Sequence, residues 1–355
     1  MVAGSGKIGT LVAVLLAATE DYHVHLIDIA HQSLNLAHGQ YALTQHVLDV
    51  NDHSALSTYV TQHGIKTVVS CLPYFCNQAI ATLAAKHHLH YFDLTEDTNV
   101  FDAIEQLALQ ATHAFVPQCG VAPGFINIVT NDLIKRFNPV KSALLRVGAL
   151  PAYPHNALKY ALTWSTDGLI NEYGNPCYGI KDFQQVTMSP LEDLETITID
   201  GVEYEAFNTS GGVGHLTHAY QGTVETMNYK TLRYPGHCEK MRLLMNDLKL
   251  NKDRANLKHI LEEALPKTNQ DVVIIYAAVD GMQHGEYMEE TFVKKIYPKS
   301  FAGRMWSAIQ TATATSACAV IDIVHKTPDL QKGLILQESI PLDTFFKNRF
   351  GQFYL

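Results

Sequence analysis

Gly4-Ser5-Gly6-Lys7-Ile8-Gly9 near the start of the chain, and the run Val24-His25-Leu26-Ile27-Asp28 that follows it, decide the fold. The first stretch is a G-x-G-x-x-G run, and an apolar helical pattern (Leu11, Val12, Val14, Leu15, Leu16) follows directly. Gly9 and Asp28 lie nineteen positions apart. That is the spacing at which a dinucleotide-binding βαβ unit places the carboxylate that holds the adenosine ribose. Gly4 permits the tight turn, Gly6 lets backbone approach a pyrophosphate, and Gly9 lets the helix pack closely on the sheet. The helix start at Ser5, Lys7 and Ile8 offers free N–H groups and a positive dipole end to phosphates. A carboxylate at Asp28 accepts from the 2′ and 3′ hydroxyls and repels a 2′-phosphate, and no Arg or Lys follows in Ile29, Ala30 and His31. NAD is therefore expected over NADP. The plainer alternative is a glycine turn and an Asp that merely ends a strand. Met1-Val2-Ala3 is short for a central strand, so a few further apolar residues are expected ahead of it in the native chain.

Working outward, strand and helix patterns alternate through residue 125. Gln45–Val50 reads as a third strand and Ser54–Val60 as a helix with Asp52 as N-cap. Thr67–Leu72 is a buried strand stopped by Pro73, Gln78–Lys86 a helix, His90–Leu94 a strand, Asn99–Ala111 a helix, and Ala114–Pro117 begins the sixth strand. This rhythm predicts an α/β fold, a Rossmann-type doubly wound parallel sheet with helices on both faces. Ligands of such sheets bind beyond the carboxyl ends of the strands. That rule points to Gly4–Gly9, Asp28, Cys71–Pro73, Asp93–Glu96 and Gln118–Gly120.

The 355 residues suit two domains, and the hydrophobic fraction of 47% is that of a globular protein. A net charge of −9 argues against nucleic acid or an anionic membrane as partner. No apolar stretch is long enough to span a bilayer, and no signal segment is read at the start. The six cysteines are scattered without a C-x-x-C pair, so reduced thiols in a cytoplasm are expected, with no disulfide framework or metal site. The histidines of Lys86–His90 read as surface residues.

After Gly124 the pattern changes to that of a second, α+β domain with a mixed or antiparallel sheet. Glu195–Ile199 and Val202–Phe207 flank Asp200-Gly201, a strong hairpin signal. Asp271–Val279, a turn at Asp280-Gly281 and a run to Val293 read as a second hairpin. Met305–Val324 is a long helix rich in small residues, expected to return to the first domain. The organisation is thus residues 1–125 with about 303–335 as the dinucleotide domain, and 126–302 as a substrate domain. Within the latter, Thr231-Leu232-Arg233-Tyr234-Pro235-Gly236-His237 is dense in polar groups. Arg233 suits a bidentate carboxylate, and backbone at Ser210–Gly212 suits another. The alternative is that Arg233 pairs a structural acid and the loops are only turns.

These pieces together resemble the saccharopine dehydrogenase family, which includes saccharopine reductase and L-lysine 6-dehydrogenase. The resemblance rests on Gly4–Gly9, Ser70-Cys71-Leu72-Pro73-Tyr74, Tyr91–Asp97, Gly120–Gly124 and Thr231–His237, in family order over nearly the whole chain. It implies a Rossmann domain completed by a C-terminal helix, a substrate domain on a mixed sheet, and commonly a homodimer. It also implies that Cys71, Leu72, Pro73, Asp93, Cys119 and Arg233 lie near cofactor or substrate. Asp28 departs from the fungal-type reductases that prefer NADP, and Val121-Ala122-Pro123-Gly124 departs from their Leu-Asp-Pro-Gly, toward the bacterial and lysine 6-dehydrogenase side.

The implied chemistry is oxidation of a C–N bond in an amino-acid substrate, saccharopine first, with hydride passing to the nicotinamide and the imine then hydrolysing. A base must take the amine proton. His237 is the first candidate because an unperturbed imidazole titrates near pH 6.5; Asp93 and Tyr234 are rivals. Cys71 and Cys119 read as packing residues, not nucleophiles. Lysine 6-dehydrogenation and a non-catalytic NAD-binding role are the competing readings.

Overall fold

A computed structural model describes residues 1–30 and 43–355, so His31 lies outside the described residues. The chain divides into two compact units. Unit 1 comprises residues 1–125, 300–304 and 310–355, and unit 2 comprises residues 126–299 and 305–309.

Unit 1 is built on parallel strands β1 (Val2–Ala3), β2 (His25–Asp28), β3 (Thr44–Val47), β4 (Thr67–Ser70), β5 (His90–Asp93) and β6 (Ala114–Val116). The late strand Gly333–Leu334 adds beside β6, giving the order Gly333–Leu334, β6, β5, β4, β1, β2, β3 among the described residues. This is the doubly wound sheet expected, with the strand order reversing between β4 and β1. Helices His53–Gln62, Asn77–Lys86 and Thr98–Ala108 bury Leu56, Ile80, Ala84 and Ile104 against Val68, Tyr91 and Phe115. Asp52 and Asp97 cap two of them, accepting from Ala55 N–H at 2.9 Å and Val100 N–H at 3.0 Å. Each cap is worth about 1 kcal/mol.

Helix Lys7–Ala17, and helix Ala308–Lys326 from residue 310 onward, also belong to this unit. Cys318 Sγ donates to the Val12 carbonyl at 3.8 Å, and Ser316 Oγ to that of Gly120 at 2.8 Å. The carboxylate of Asp322, 1% exposed, accepts from Tyr22 Oη, Asn348 Nδ2 and Arg349 Nη2, each within 2.8 Å, and pairs Lys326. Residues from both ends of the chain are thereby fastened to one helix.

Unit 2 carries a mixed sheet of β7 (Val140–Pro151), β8 (Cys177–Lys181), β9 (Gln184–Met188), β10 (Glu195–Ile199), β11 (Val202–Asn208), β12 (Val224–Arg233), β13 (Asp271–Gln283) and β14 (Glu286–Ile296). Its main path runs β10, β11, β12, β7, β13, β14, with only the β12–β7 pair parallel along that path. The first hairpin turns at Asp200-Gly201, both with positive φ. The second differs from the sequence reading. β13 runs straight through Asp280-Gly281, and the turn falls at His284-Gly285, where φ is +53° and +86°. Gly281 is needed for another reason: a Cβ there would lie 2.3 Å from the Pro139 carbonyl oxygen, at a register shift between β13 and β7. Asp-Gly thus marks a bulge at a close backbone approach.

Two further boundaries shift. Met305 lies in the strand Arg304–Trp306, and the long helix starts at Ala308, where Asp271 accepts from the N–H groups of Ala308 and Ile309 at 2.6 and 3.0 Å. β4 ends at Ser70, which releases Cys71-Leu72 into the loop above it. His90 is buried at the start of β5, not at the surface, and its Nδ1 accepts from Ala114 N–H at 3.2 Å. Among the described residues no helix is long and apolar enough to cross a membrane.

His25 and His90 are 5% and 9% exposed, and burial, reinforced by neighbouring cationic groups, pulls each down to about 4. Both are neutral in the folded state below the pH at which an unfolded histidine charges, near 6.5. Stability is therefore full above pH 6.5 and is lost as pH falls toward 4, by about 1–3 kcal/mol per histidine. Urea unfolding at pH 7.5 and pH 5 checks this, and His90→Gln flattens the dependence.

Candidate functional site

In unit 1 the glycine loop sits at the carboxyl end of β1. Gly4 has φ +96°, and a Cβ on it would lie 2.8 Å from the Cys71 carbonyl oxygen. A Cβ on Gly9 would lie 1.9 Å from the Gly4 carbonyl oxygen, so helix and loop touch backbone to backbone. Gly6 behaves differently: its Cβ position meets nothing within 4 Å. It is also the N-cap of Lys7–Ala17, a helix start with no side-chain cap and no acid in the first turn. Lys7 is exposed and Ile8 half-buried beside it. Ser5 Oγ is buried without a hydrogen-bond partner.

The Asp28 carboxylate accepts from Ser5 N–H at 2.7 Å through one oxygen and from Ala30 N–H at 3.0 Å through the other. The acid on β2 is thus tied to the glycine loop, and each oxygen keeps a lone pair for a hydroxyl. A glycine cradle open above Gly6, an uncapped helix start and a flanking carboxylate fit a dinucleotide: Gly4–Gly9 would hold the pyrophosphate and Asp28 the ribose.

Cys71 and Leu72 close this loop from β4. Cys71 N–H donates to the Ala3 carbonyl at 2.8 Å, and Leu72 Cδ2 lies 3.2 Å from the Gly4 Cβ position. Burial, then the Asp93 carboxylate, pushes the Cys71 thiol up to about 12, so it stays protonated. Pro73 is exposed at the start of the turn Tyr74–Cys76.

Asp93 is fully buried. It accepts from Tyr91 Oη at 2.7 Å, Thr95 N–H at 3.0 Å and Gln118 N–H at 2.9 Å. Burial raises its carboxyl and these bonds counter the rise. The group clasps the ends of β5 and β6, and both its oxygens are committed to that, which leaves it poorly placed as a base. Cys119 is also fully buried, its thiol donating to the Val116 carbonyl at 3.1 Å with Gln337 Nε2 at 3.6 Å.

Two further residues lie on the same loop as Asp93, within the stretch the strand-end rule marks. Thr95 Oγ1 accepts from Asp97 N–H at 3.2 Å, which fixes the backbone around half-buried Glu96. Burial, together with the carboxylates of Asp97 and Asp93, pushes Glu96 up to about 7. The sequence signal was its place just past a strand end, in a run of acids.

In unit 2, Arg233 ends β12 and is 2% exposed. Its guanidinium lies 5.2 Å from the Tyr160 ring centroid and 5.7 Å from that of Tyr173. Nε donates to Tyr173 Oη at 2.7 Å and Nη1 to the Leu232 carbonyl at 2.8 Å. Burial works against the charge, but the phenols and the Glu172 carboxylate hold it firmly protonated. His237 is 1% exposed, with Nε2 3.0 Å from Tyr173 Oη and Nδ1 2.8 Å from the Leu158 carbonyl. Burial, then Arg233, pulls the imidazole down to about 3. Both ring nitrogens are spent inside the protein, so the geometry leaves His237 no atom with which to take a substrate proton.

Tyr234 lies just past the end of β12 and packs in the cluster that holds Leu232, Tyr204 and Leu150, on the other side of the sheet from Arg233. It packs near Tyr204 and donates to the Pro151 carbonyl at 3.0 Å. Arg233 and Tyr234 therefore do not share a site. Ser210 N–H is also committed, to the Glu172 carbonyl at 2.9 Å, and Gly212 lies flat against the Tyr229 ring. Asn171–Gly174 is the end of the helix Thr166–Gly174, capped by Ser165, and this brings Tyr173 to Arg233.

Comparison with known proteins matches residues 1–115 to the saccharopine dehydrogenase NADP binding domain and residues 120–348 to the saccharopine dehydrogenase C-terminal domain. Among solved structures, apo histidine-tagged saccharopine dehydrogenase (L-Glu forming) from Saccharomyces cerevisiae is similar. It has 17% identity and TM-score 0.74, with 98% of this chain and 96% of that chain covered. A probable dehydrogenase from Thermotoga maritima matches at 9% identity and TM-score 0.50, over 99% of this chain and 93% of that one. At these identities the likeness shows the fold.

Two glycine substitutions separate the roles within the loop. Gly6→Ala keeps its melting temperature within about 2 °C, since nothing in the protein meets the new methyl, yet weakens dinucleotide binding at least about tenfold, or about 1.4 kcal/mol. Gly9→Ala costs about 3 kcal/mol of stability by overpacking. Thermal unfolding and cofactor titration of the two variants read this out; parallel losses in both would place the ligand elsewhere.

Proposed function

The chain belongs to the saccharopine dehydrogenase family, and from that premise we propose an NAD-dependent dehydrogenase acting on the C–N bond of an amino-acid substrate, with saccharopine as the favoured one. The observation that carries the substrate class is Arg233. A cation buried between two phenols, with Nη2 making no hydrogen bond to the described residues, is suited to a carboxylate in a dry, oriented contact.

A bound nicotinamide would supply the hydride acceptor for the carbon that bears the amine. The chain's own residues do the rest. Gly4–Gly9 and Asp28 fix the dinucleotide, and Arg233 fixes the acid end of the substrate. Glu96 is the group best suited to take the amine proton. Its loop lies past the carboxyl end of β5, and its carboxyl near 7 matches a base working close to neutrality. Asp28 supports NAD, because a 2′-phosphate would meet its carboxylate. The matched cofactor domain is named for NADP, so both cofactors belong in the assay.

An L-lysine 6-dehydrogenase is the second reading, and one feature favours it. Lys230 and Arg146, the cations nearest Arg233 on β12 and its neighbour β7, are committed to Glu195 and Asp193. Lys230 lies three residues from Arg233 and so faces the opposite side of the sheet. A substrate with three carboxylates asks for more cations than one with a single carboxylate.

Reduction of NAD and of NADP with saccharopine and with L-lysine, at mildly alkaline pH, tests these readings. Turnover of saccharopine with NAD supports the first, turnover of lysine alone the second, and tight NAD binding without turnover a binding role. Asp28→Ser shifts the NAD to NADP preference toward NADP by about tenfold, and an unchanged ratio places Asp28 away from the ribose. For Glu96, kcat/KM falls as pH drops below about 7, because protonation removes the base; Glu96→Gln removes this limb and lowers kcat by about 100-fold, within the range of general base catalysis.

A further inference from the structure

The geometry points to His237 as a positioning residue for Arg233, acting through the Tyr173 hydroxyl. This rests on the reading of Arg233 as the carboxylate anchor. The Leu158 carbonyl, 2.8 Å from His237 Nδ1, can only accept, so Nδ1 carries the proton. The buried imidazole is neutral, and Nε2 therefore presents a lone pair to Tyr173 Oη at 3.0 Å. The hydroxyl proton must point at Nε2, which turns the phenol's lone pairs toward Arg233 Nε–H at 2.7 Å. One backbone carbonyl thus sets the direction of three hydrogen bonds in a row. With Nε held by Tyr173, Nη1 by the Leu232 carbonyl and the plane between two rings, the Nη2 edge has one orientation in which to meet a ligand.

If the acceptor at Nε2 is lost, the Tyr173 proton has no partner on that side. The rotor then turns toward the guanidinium, where donor meets donor, and the cation loses its fixed aim. Phe207 stacks on the imidazole at 6.3 Å between centroids, and Tyr160 lies 5.3 Å from it, so an aromatic ring of similar size at position 237 keeps the packing. The acceptor can therefore be removed separately from the bulk.

The experiment compares His237→Phe, His237→Gln and Arg233→Lys in the full chain, with kcat and KM measured for the turned-over amino acid, and NAD affinity measured alongside. Side-chain 15N spectra of the wild-type protein are recorded without substrate. His237→Phe is expected to raise KM about tenfold, or about 1.4 kcal/mol, with kcat within about threefold and NAD affinity unchanged. His237→Gln, which keeps a donor for Leu158 and an acceptor for Tyr173, is expected to restore KM. The spectra are expected to show a neutral His237 with the proton on Nδ1.

Wild-type KM in His237→Phe, while Arg233→Lys raises it, overturns the inference. So does a proton on Nε2 in the wild-type spectrum, which needs neither a variant that folds nor a substrate that turns over. An unchanged KM in Arg233→Lys with the Nδ1 proton in place instead overturns the reading of Arg233 and leaves the hydrogen-bond chain standing as architecture.

Discussion

The contact between the backbones of Gly4 and Gly9 is the constraint on which unit 1 is arranged. It leaves no room for a side chain, so the first helix must leave the loop along one path. The same loop is braced from both sides: Cys71 packs its carbonyl against Gly4, and Asp28 takes the Ser5 amide. Strands β1, β2 and β4 therefore converge on one point, where the strand order reverses and a doubly wound sheet opens a crevice. Crowding and openness alternate along this one loop, because the backbone that is too crowded for a Cβ at Gly4 and Gly9 is bare at Gly6.

Unit 2 is governed by a different kind of constraint, the direction of hydrogen bonds under burial. Arg233 is charged and almost without solvent, a placement that is costly unless its donors are met and its charge is offset. Two phenols, a backbone carbonyl and the nearby Glu172 do this, and the imidazole of His237 terminates the chain of donors. A residue whose type suggests proton transfer thus ends up as an acceptor with no traffic, because its other nitrogen is already fixed on Leu158.

Much of the fold was legible because local rules and tertiary structure agree. The G-x-G-x-x-G run, the spacing to Asp28, Asp52 as a cap and the Asp200-Gly201 hairpin all depend on contacts within about one element of sequence. The failures come where a distant backbone decides. Asp280-Gly281 carries a turn signature, yet Pro139 lies against it and makes it a bulge. Met305 has helical neighbours, but Asp271, from β13, caps the helix three residues later. His237, Asp93 and Tyr234 were reasonable by residue type. Only the folded chain shows that the first two are saturated by internal bonds and that the third faces away from Arg233. Glu96 was marked only by its place past a strand end and within the Tyr91–Asp97 run, since what matters is the partner it meets or lacks.

The fastening of both chain ends at Asp322 carries a consequence for biosynthesis. Tyr22 reaches this carboxylate early in the chain, whereas Asn348 and Arg349 reach it only at the very end. Unit 2 is drawn almost entirely from one continuous stretch, residues 126–299, and has its full sheet before the ribosome has made the helix 308–326. The nucleotide-binding unit must wait with one face uncovered until residues 310–355 emerge. Residues 1–125 are made before unit 2 and complete their core after it.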